Sequence, residues 1–576
     1  MLIVVGAVVA AVSGVPALLF PRGSRAGALS STILLMIGAA VGEVGALIGL
    51  AGRESIVSAP WSVPGGALSI RVDALSAFFV APVFLIAGAG ALFGERYWPA
   101  SRERAAYVRV FYGILAGALA IVMTAANTIL FLAAWEIVAL ASFFLVATEG
   151  EERAARDAAW LYLAASHVAT LSLFGLFAVL HAITGTWTFT VLSSALGSSA
   201  LSVIFWLAVA GFGIKAGLMP LHVWLPSAHA AAPSHVSAMM SGVVIKMGIY
   251  GLVRVLSLFS APPPWFGETL LITGVVSSIL GVAFALAQHD LKRLLAYHSI
   301  ENIGIIVTGL GVGLLARAHG HPAIALLGFG GALLHVWNHG LFKSLLFLGG
   351  GAAVHSMHTR EIDRMGGLAR RMPWSAAAFL VGAVAICGLP PLNGFVSEWL
   401  LYMGSFAGMQ RQAPGAWTLL VVLVAPALAV TGALALACFV KAFGAVFLGS
   451  PRTEAASAAE EVPPSMRIAM APLAIACMVI GIVPAVVAPA LARAVVVAGG
   501  ARLGNGSDVL AKSLVPLQTI AIVITALLIV AIAAVRLVVG DAPKRKTWDC
   551  GYAVPTPRMQ YTSSSFARTL VAFFRW

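Results

Sequence analysis

The chain has 576 residues, of which 60% are hydrophobic and only 10% charged, too little polar surface to clothe a soluble globule of this size. A polytopic membrane protein is predicted, and its formal charge of +13 has to be located before it is read as affinity for nucleic acid. Four cysteines, Cys387, Cys438, Cys477 and Cys550, stand singly, which argues against a disulfide framework, a zinc site or an iron–sulfur site within this chain.

In chain order, apolar runs near the ~20 residues of a spanning helix fall at 2–20, 29–50, 73–94, 108–126, 127–148, 157–181, 202–225 and 235–259, then at 268–288, 294–316, 323–350, 374–409, 416–448, 467–492 and 515–539. The first run has no basic segment before it and no small-residue cleavage site after it, so it is read as a retained span. The predicted fold is all-α, with about 14–15 transmembrane helices. Of the 35 Lys and Arg residues, 22 fall in alternate loops and the tail, and only eight in the loops between. The positive-inside bias then places the protein in the cell membrane, N-terminus outside and C-terminus cytoplasmic. It also removes the nucleic-acid reading, because the basic excess is a topology signal spread over loops.

Two spans carry internal prolines: Pro220, with Pro226 behind it, in the seventh, and Pro390–Pro391 with Gly388 and Gly394 in the twelfth. Broken helices in corresponding halves point to repeats around a pathway, since unwound backbone at membrane depth is tolerated only inside protein or beside a cavity. Two inverted five-helix repeats follow, each containing a broken helix. The chain divides into N-terminal helices (1–107), a first repeat (108–259), a second repeat (260–450), C-terminal helices (451–540) and a cytoplasmic tail (541–576). On this division Lys215 corresponds to Glu398, Lys246 to Lys441 and Glu136 to Glu301.

These in-span charges are the candidate site, a proton pathway rather than a catalytic centre. A charge at the bilayer centre costs about 2.5–3.5 kcal/mol on insertion scales, so each needs water or a partner. Glu136 is expected to pair with Lys215, either as a static pair pinning two helices or as a pair that titrates. His222, His229 and His235 flank the first break. The first two are assigned to the pathway, and His235 is expected at the membrane interface. His335, His339 and Lys343 follow one another at i, i+4 and climb about 12 Å along one slowly rotating face. That ladder suits proton relay; metal binding is the competing use, although no third ligand stands at a telling spacing. His298 and Glu301 are candidates for an entrance. Asp73 is expected to cap a helix, and Lys292 and Arg293 to be cytoplasmic anchors.

The stretches KAGLMPLHVWLPSAHAAAPSHVSAMMSGVVIKMGIYG, LKRLLAYHSIENIGII, HVWNHGLFKSLLF and GLPPLNGFVSEWL, with Glu136 before them, resemble the antiporter-like proton-pumping subunits. These occur in respiratory complex I, multisubunit cation/proton antiporters and energy-converting hydrogenases. The resemblance covers roughly residues 70–450. It implies that Glu136 is an entrance glutamate, Lys215 the broken-helix lysine, Lys246 a connecting residue, His335, His339 and Lys343 the second half-channel, and Glu398 the exit. Within that family, AYHSIENIG and the C-terminal KTWDCGYAVPTPRMQYTSSSFA look most like the large membrane subunit of hydrogenase-4 and formate hydrogenlyase complexes. That likeness implies ion translocation driven by redox chemistry in other membrane and peripheral subunits, with nickel–iron and iron–sulfur centres in those partners and no cofactor in this chain. A subunit of a cation/proton antiporter, or of a quinone-linked NADH dehydrogenase, is the alternative.

Overall fold

The computed structural model describes residues 1–193, 196–410, 415–500, 507–539, 559–565 and 568. Cys550 and most of the expected tail lie outside the described residues. Eighteen helices carry the fold: α1 (Leu2–Leu19), α2 (Arg25–Leu50), α3 (Ala74–Tyr97), α4 (Ala105–Thr124), α5 (Thr128–Val146), α6 (Arg153–Thr184), α7 (Ser198–Ala216), α8 (Leu225–Ala231), α9 (Ser234–Leu256), α10 (Pro264–Leu286), α11 (Leu291–Ala318), α12 (Pro322–Met357), α13 (Pro373–Ile386), α14 (Asn393–Met409), α15 (Ala416–Phe447), α16 (Pro464–Ile482), α17 (Ala488–Gly499) and α18 (Ser507–Val539). Fourteen of the described helices are long and apolar enough to cross a membrane, and the chain is a multi-pass membrane protein. The run at 374–409 is absent from that set because it is split into α13 and α14, neither of which spans alone. The expected single run at 467–492 also ends early: α16 stops at Ile482 ahead of Pro484, and α17 follows as a separate helix. A proline inside a helix removes a hydrogen bond and clashes with the turn before it.

The loops gather at two faces in alternation. On one face Arg102 pairs with Glu149 at 2.8 Å, Arg360 donates to the Ala230 carbonyl at 2.6 Å, Ser356 to that of Glu460 at 3.1 Å, and Ser563 N–H to Asp363 at 2.6 Å. This is the face that carries the basic excess. On the other, a β-hairpin (β1, Ser55–Ala59; β2, Leu68–Val72) receives a hydrogen bond from Ala126 at 2.8 Å. There Leu192 bonds Leu258, Arg317 donates to Phe259, and His319 and His321 stack on Trp417.

α9, α11 and α12 lie in the interior: the most apolar windows of α9 and α11 are wholly buried, and that of α12 almost so. Small residues allow this close approach. A Cβ on Gly274 of α10 would sit 2.4 Å from the backbone nitrogen of Thr308 on α11, and one on Gly281 would sit 2.6 Å from that of Glu301.

Asp73 caps α3 as expected, accepting from Ser76 N–H at 2.8 Å. It also holds a bidentate pair with Arg254 of α9, at 2.7 and 2.9 Å. Burial alone would raise the Asp73 carboxyl, but the guanidinium outweighs it and holds the pKa below its ordinary 3.8. The contribution is therefore complete above that value and is lost as the pH falls below it. Asp73→Asn, which strands Arg254 in the interior, is expected to destabilise the folded chain by about 3–5 kcal/mol at neutral pH. Thermal unfolding followed by size-exclusion fluorescence checks this, and the gap to the parent should narrow on acidification.

A line of buried titratable groups between two helix breaks

The two interruptions have the same backbone pattern. α7 ends at Gly217, in the left-handed region at φ +76°; its N–H reaches the Ile214 carbonyl at 3.1 Å, Leu218 N–H the Gly213 carbonyl at 3.0 Å, and Leu221 N–H the Leu218 carbonyl at 2.7 Å. α13 ends before Gly388, at φ +62°, with Gly388 to Ala385 at 3.1 Å, Leu389 to Val384 at 3.3 Å and Leu392 to Leu389 at 3.1 Å. These bonds satisfy carbonyls that a helix end leaves open. The sequence carries the signal as a shared Gly-Leu-x-Pro-Leu, at 217–221 and at 388–392, a repeat more specific than the prolines by themselves. It also shows that Lys215 and Glu398 are not equivalent in register: Lys215 precedes its glycine by two residues, and Glu398 follows its glycine by ten.

Lys215 is 1% exposed. Its Nζ donates to Tyr162 Oη of α6 at 2.9 Å and lies 5.6 Å from the Trp135 ring centroid. The expected pair with Glu136 is not formed. Successive helical residues point about 100° apart, so with Trp135 turned inward to Lys215, Glu136 turns toward α6. There its carboxylate accepts from the Thr170 hydroxyl and lies 3.8 Å from His167 Nε2, with 28% of the side chain exposed.

Past the first break, His229 of α8 is fully buried between the rings of Trp224 and Phe347. Lys343 Nζ of α12 lies 5.7 Å from the same Phe347 ring. Lys246 follows a π-helical turn, Met240–Val244, and donates to the Ser241 carbonyl; the Ser241 hydroxyl is 2.8 Å from that of Ser299 on α11. His222 is only half-buried, at the rim of the break.

On α12 the expected ladder is present and buried. His335 Nδ1 is 2.9 Å from Ser397 Oγ and its Nε2 3.0 Å from Asn302 Oδ1, so both ring nitrogens are engaged and neither is free to ligate a metal. The His339 ring lies 6.4 Å from that of His335. Among the described residues, the ring nitrogens of His229 and His339, and Lys343 Nζ, have no hydrogen-bond partner, and buried groups of this kind are ordinarily satisfied by water. Lys343 is the electrostatic hub: Lys246, His229, His298, His339 and Glu301 all lie within reach of its charge, and Glu301 in turn feels Glu398. Glu398 rests against the second break, where a Cβ on Gly388 would come within 2.5 Å of its Oε2.

Three assignments change. His298 and Glu301, expected at an entrance, are 0% and 1% exposed and pair with each other inside α11, away from either mouth. Lys441 caps the end of α10, donating to Leu286 and Gln288 carbonyls at 2.6 and 2.9 Å, so it stands at the basic face rather than along the central line. Lys292, expected as a surface anchor, is buried and donates to the Ala232 carbonyl; Arg293 is exposed. Sequence reasoning missed Tyr162, Asn302, Asn338 and Ser397. Asn338 ties α12 to the second break through the Asn393 carbonyl at 2.6 Å and Ser397 Oγ at 3.0 Å. Three of the four adjoin a chosen residue (Asn302 follows Glu301, Asn338 precedes His339, Ser397 precedes Glu398), a signal that was available; Tyr162 carries none.

The left-handed glycines give a direct check of the breaks. Gly217→Ala and Gly388→Ala place a Cβ in a strained backbone region, 2.4 Å from Leu225 Cδ1 in the first case. Each is expected to lower stability by about 1–3 kcal/mol, read as a lower midpoint of thermal unfolding; an unchanged midpoint for both contradicts the geometry.

Residues 125–424 match the family described as NADH:quinone oxidoreductase/Mrp antiporter, transmembrane. Hydrogenase-4 component B of Escherichia coli (strain K12) is 40% identical over 427 residues, 73% of this chain and 63% of that protein. Formate hydrogenlyase subunit 3 of the same organism is 37% identical over 76% of this chain and 70% of its own length. An uncharacterised protein of Mycobacterium tuberculosis (strain ATCC 25618 / H37Rv) is 37% identical over 93% of this chain and 85% of its own. The chain thus spans less than two thirds of hydrogenase-4 component B. Two solved structures share the fold. One is the membrane-bound sulfane sulfur reductase, an archaeal respiratory membrane complex (TM-score 0.78, 22% identity, 99% of this chain and 91% of that chain). The other is the Mrp complex from Dietzia sp. DQ12-45-1b (TM-score 0.73, 24% identity, 95% of this chain and 60% of that chain).

Proposed function

We propose, for a chain that belongs to the NADH:quinone oxidoreductase/Mrp antiporter transmembrane family, that it is the ion-translocating membrane subunit of an energy-converting hydrogenase or formate hydrogenlyase type of complex. The observation that carries this is the set of buried titratable side chains, Lys215, His229, Lys246, Lys343, His339, His335 and Glu398, strung between two like helix breaks. On this reading the series is a conduction path: its members sit on several helices, some linked through protein groups, as Lys215 is to His229 through Tyr162 and Trp224 and His335 is to Ser397, with water bridging the others. Residues 108–259 and 260–450 act as two half-channels on this reading, supported by the shared break motif. The face that carries the basic excess is cytoplasmic.

Redox chemistry belongs to partner subunits, which hold the nickel–iron and iron–sulfur centres. Coupling between subunits is by charge. A carboxylate beside lipid is costly, so the partly exposed Glu136–His167 pair marks where a neighbouring membrane subunit sits. A charge change there reaches Lys215 through Trp135 and Tyr162, and the Lys215 proton moves in response. On the cytoplasmic face a cavity of about 600 Å³, lined in part by Asp290, Lys292, His355 and Arg360, opens over the loop from α8 to α9 and serves as an aqueous mouth.

Lys215→Ala and Glu136→Gln are expected to lower proton translocation by roughly tenfold or more in inverted vesicles, while hydrogenase activity with an artificial electron donor is retained. Normal pumping by both variants contradicts the pathway. The resemblance of the fold to the Mrp complex supports a second reading, a cation/proton exchanger without a redox partner. Metal analysis of the native complex separates the two: nickel and iron are expected here, whereas a metal-free complex exchanging sodium for protons supports the exchanger.

A further inference from the structure

The N-terminal helices hold a second concentration of charge that the ion pathway does not use. A cavity of about 520 Å³ lies between the end of α1, the start of α2 and the start of α4, lined by Arg22, Arg102, Arg104 and Arg109 among others. Arg25 opens α2 at its edge. The acidic residues nearby do not balance these five: Glu149 takes Arg102 at 2.8 Å and Glu103 lies 3.8 Å from Arg104, while Glu95 pairs with Arg96.

The placement is electrostatically unfavourable as it stands. Helix N-termini are positive ends and favour acidic residues in the first turn. α2 has a Ser24 cap on Gly27 N–H at 3.3 Å but no acidic residue in its first turn, and the N-cap of α4 is Arg104 itself, at φ 57° with no side-chain cap and no acidic residue following. Arginines therefore crowd two positive helix ends at one cavity. Much of their hydrogen bonding is to carbonyls that fix their positions: Arg109 to Ala105 and Trp98 at 2.9 and 3.2 Å, and Arg104 to Ala147 and Thr148 at 3.4 and 3.3 Å. Arg102 stacks on the Trp98 ring at 3.7 Å. Such a set offers several fixed guanidinium groups, the donor that matches phosphate oxygens in pairs. The rim is apolar and outward-facing, with Leu18, Leu19, Phe20 and Tyr107 all exposed, at the level where a spanning helix leaves the hydrocarbon.

We propose that this cavity is a binding site for an anionic phospholipid, the phosphate held by Arg22, Arg104 and the open N–H groups of the first turn of α4, with the acyl chains along the exposed face of α1. A basic pocket between transmembrane helices on the positively charged side is the expected form of such a site. The ligand offsets the repulsion among the arginines and so fastens α1 and α2 to α4. The proposal stands apart from the ion pathway and survives or fails without it.

The test uses the protein purified from native membranes with the subunits it retains. Native mass spectrometry and lipid extraction are expected to find phosphatidylglycerol or cardiolipin held through delipidation, and Arg22→Gln/Arg104→Gln to retain at least fivefold less at the same elution volume. A photoactivatable phosphatidylglycerol should label residues 15–24 and 100–109 of the unaltered protein, which decides the matter should the double variant not assemble. Equal retention by the variant, labelling confined to other segments, or full displacement of the lipid by millimolar inorganic phosphate overturns the proposal, the last by making it a free-phosphate site.

Discussion

Lys215, Lys246 and Lys343 each carry an amine into a bundle interior where an unpaired charge is penalised by several kcal/mol. Each is met differently. Lys215 finds a phenol hydroxyl and two aromatic faces, Lys246 a carbonyl beside a π-helical turn, and Lys343 no hydrogen-bond acceptor among the described residues. None is locked to a carboxylate of the described residues by direct contact. A group held by neutral partners retains the freedom to gain or lose its proton as the charges around it change. A static salt bridge, such as Asp73–Arg254 in the same bundle, holds its members in one state. The two kinds of buried charge sit on the same helix, α9, and differ in their partners: Arg254 is held by a carboxylate, Lys246 by a carbonyl.

The helix breaks make this arrangement possible. An uninterrupted helix presents only side chains, whereas a break with a left-handed glycine lets the chain turn and start again, bringing Lys215 to α6 and Glu398 to the glycine of its own break. The freed carbonyls are taken up locally, one by Trp224 Nε1 at 2.8 Å, so the polar backbone is satisfied without lipid contact. Along the α10–α11 pair, glycines let the two helices approach to backbone contact. The rigidity of that packing keeps the polar groups in register.

Hydropathy located the spans well because length and apolarity are local properties of the chain, and prolines marked both breaks for the same reason. Partnership was harder to read. Periodicity says that Glu136 lies on a different face from Trp135, but not which face meets Lys215, so the inferred pair failed on a rotation of about 100°. Lys441 lies in an apolar run like the other lysines, and only the end of α10 beside it shows that it is a cap. The His335–His339–Lys343 ladder was legible because i, i+4 spacing is geometry within one helix. Its connections to Asn302 and Ser397 depend on helices distant in sequence.

On the proposed function, the path passes from the first half-channel to the second beside Lys343, which lies within electrostatic reach of Lys246 and His339. The number of protons translocated per electron transferred, measured for the purified complex in proteoliposomes, tests it most directly. With Lys343 replaced by Ala, that ratio is expected to collapse while electron transfer continues. A ratio equal to that of the parent protein would contradict the account.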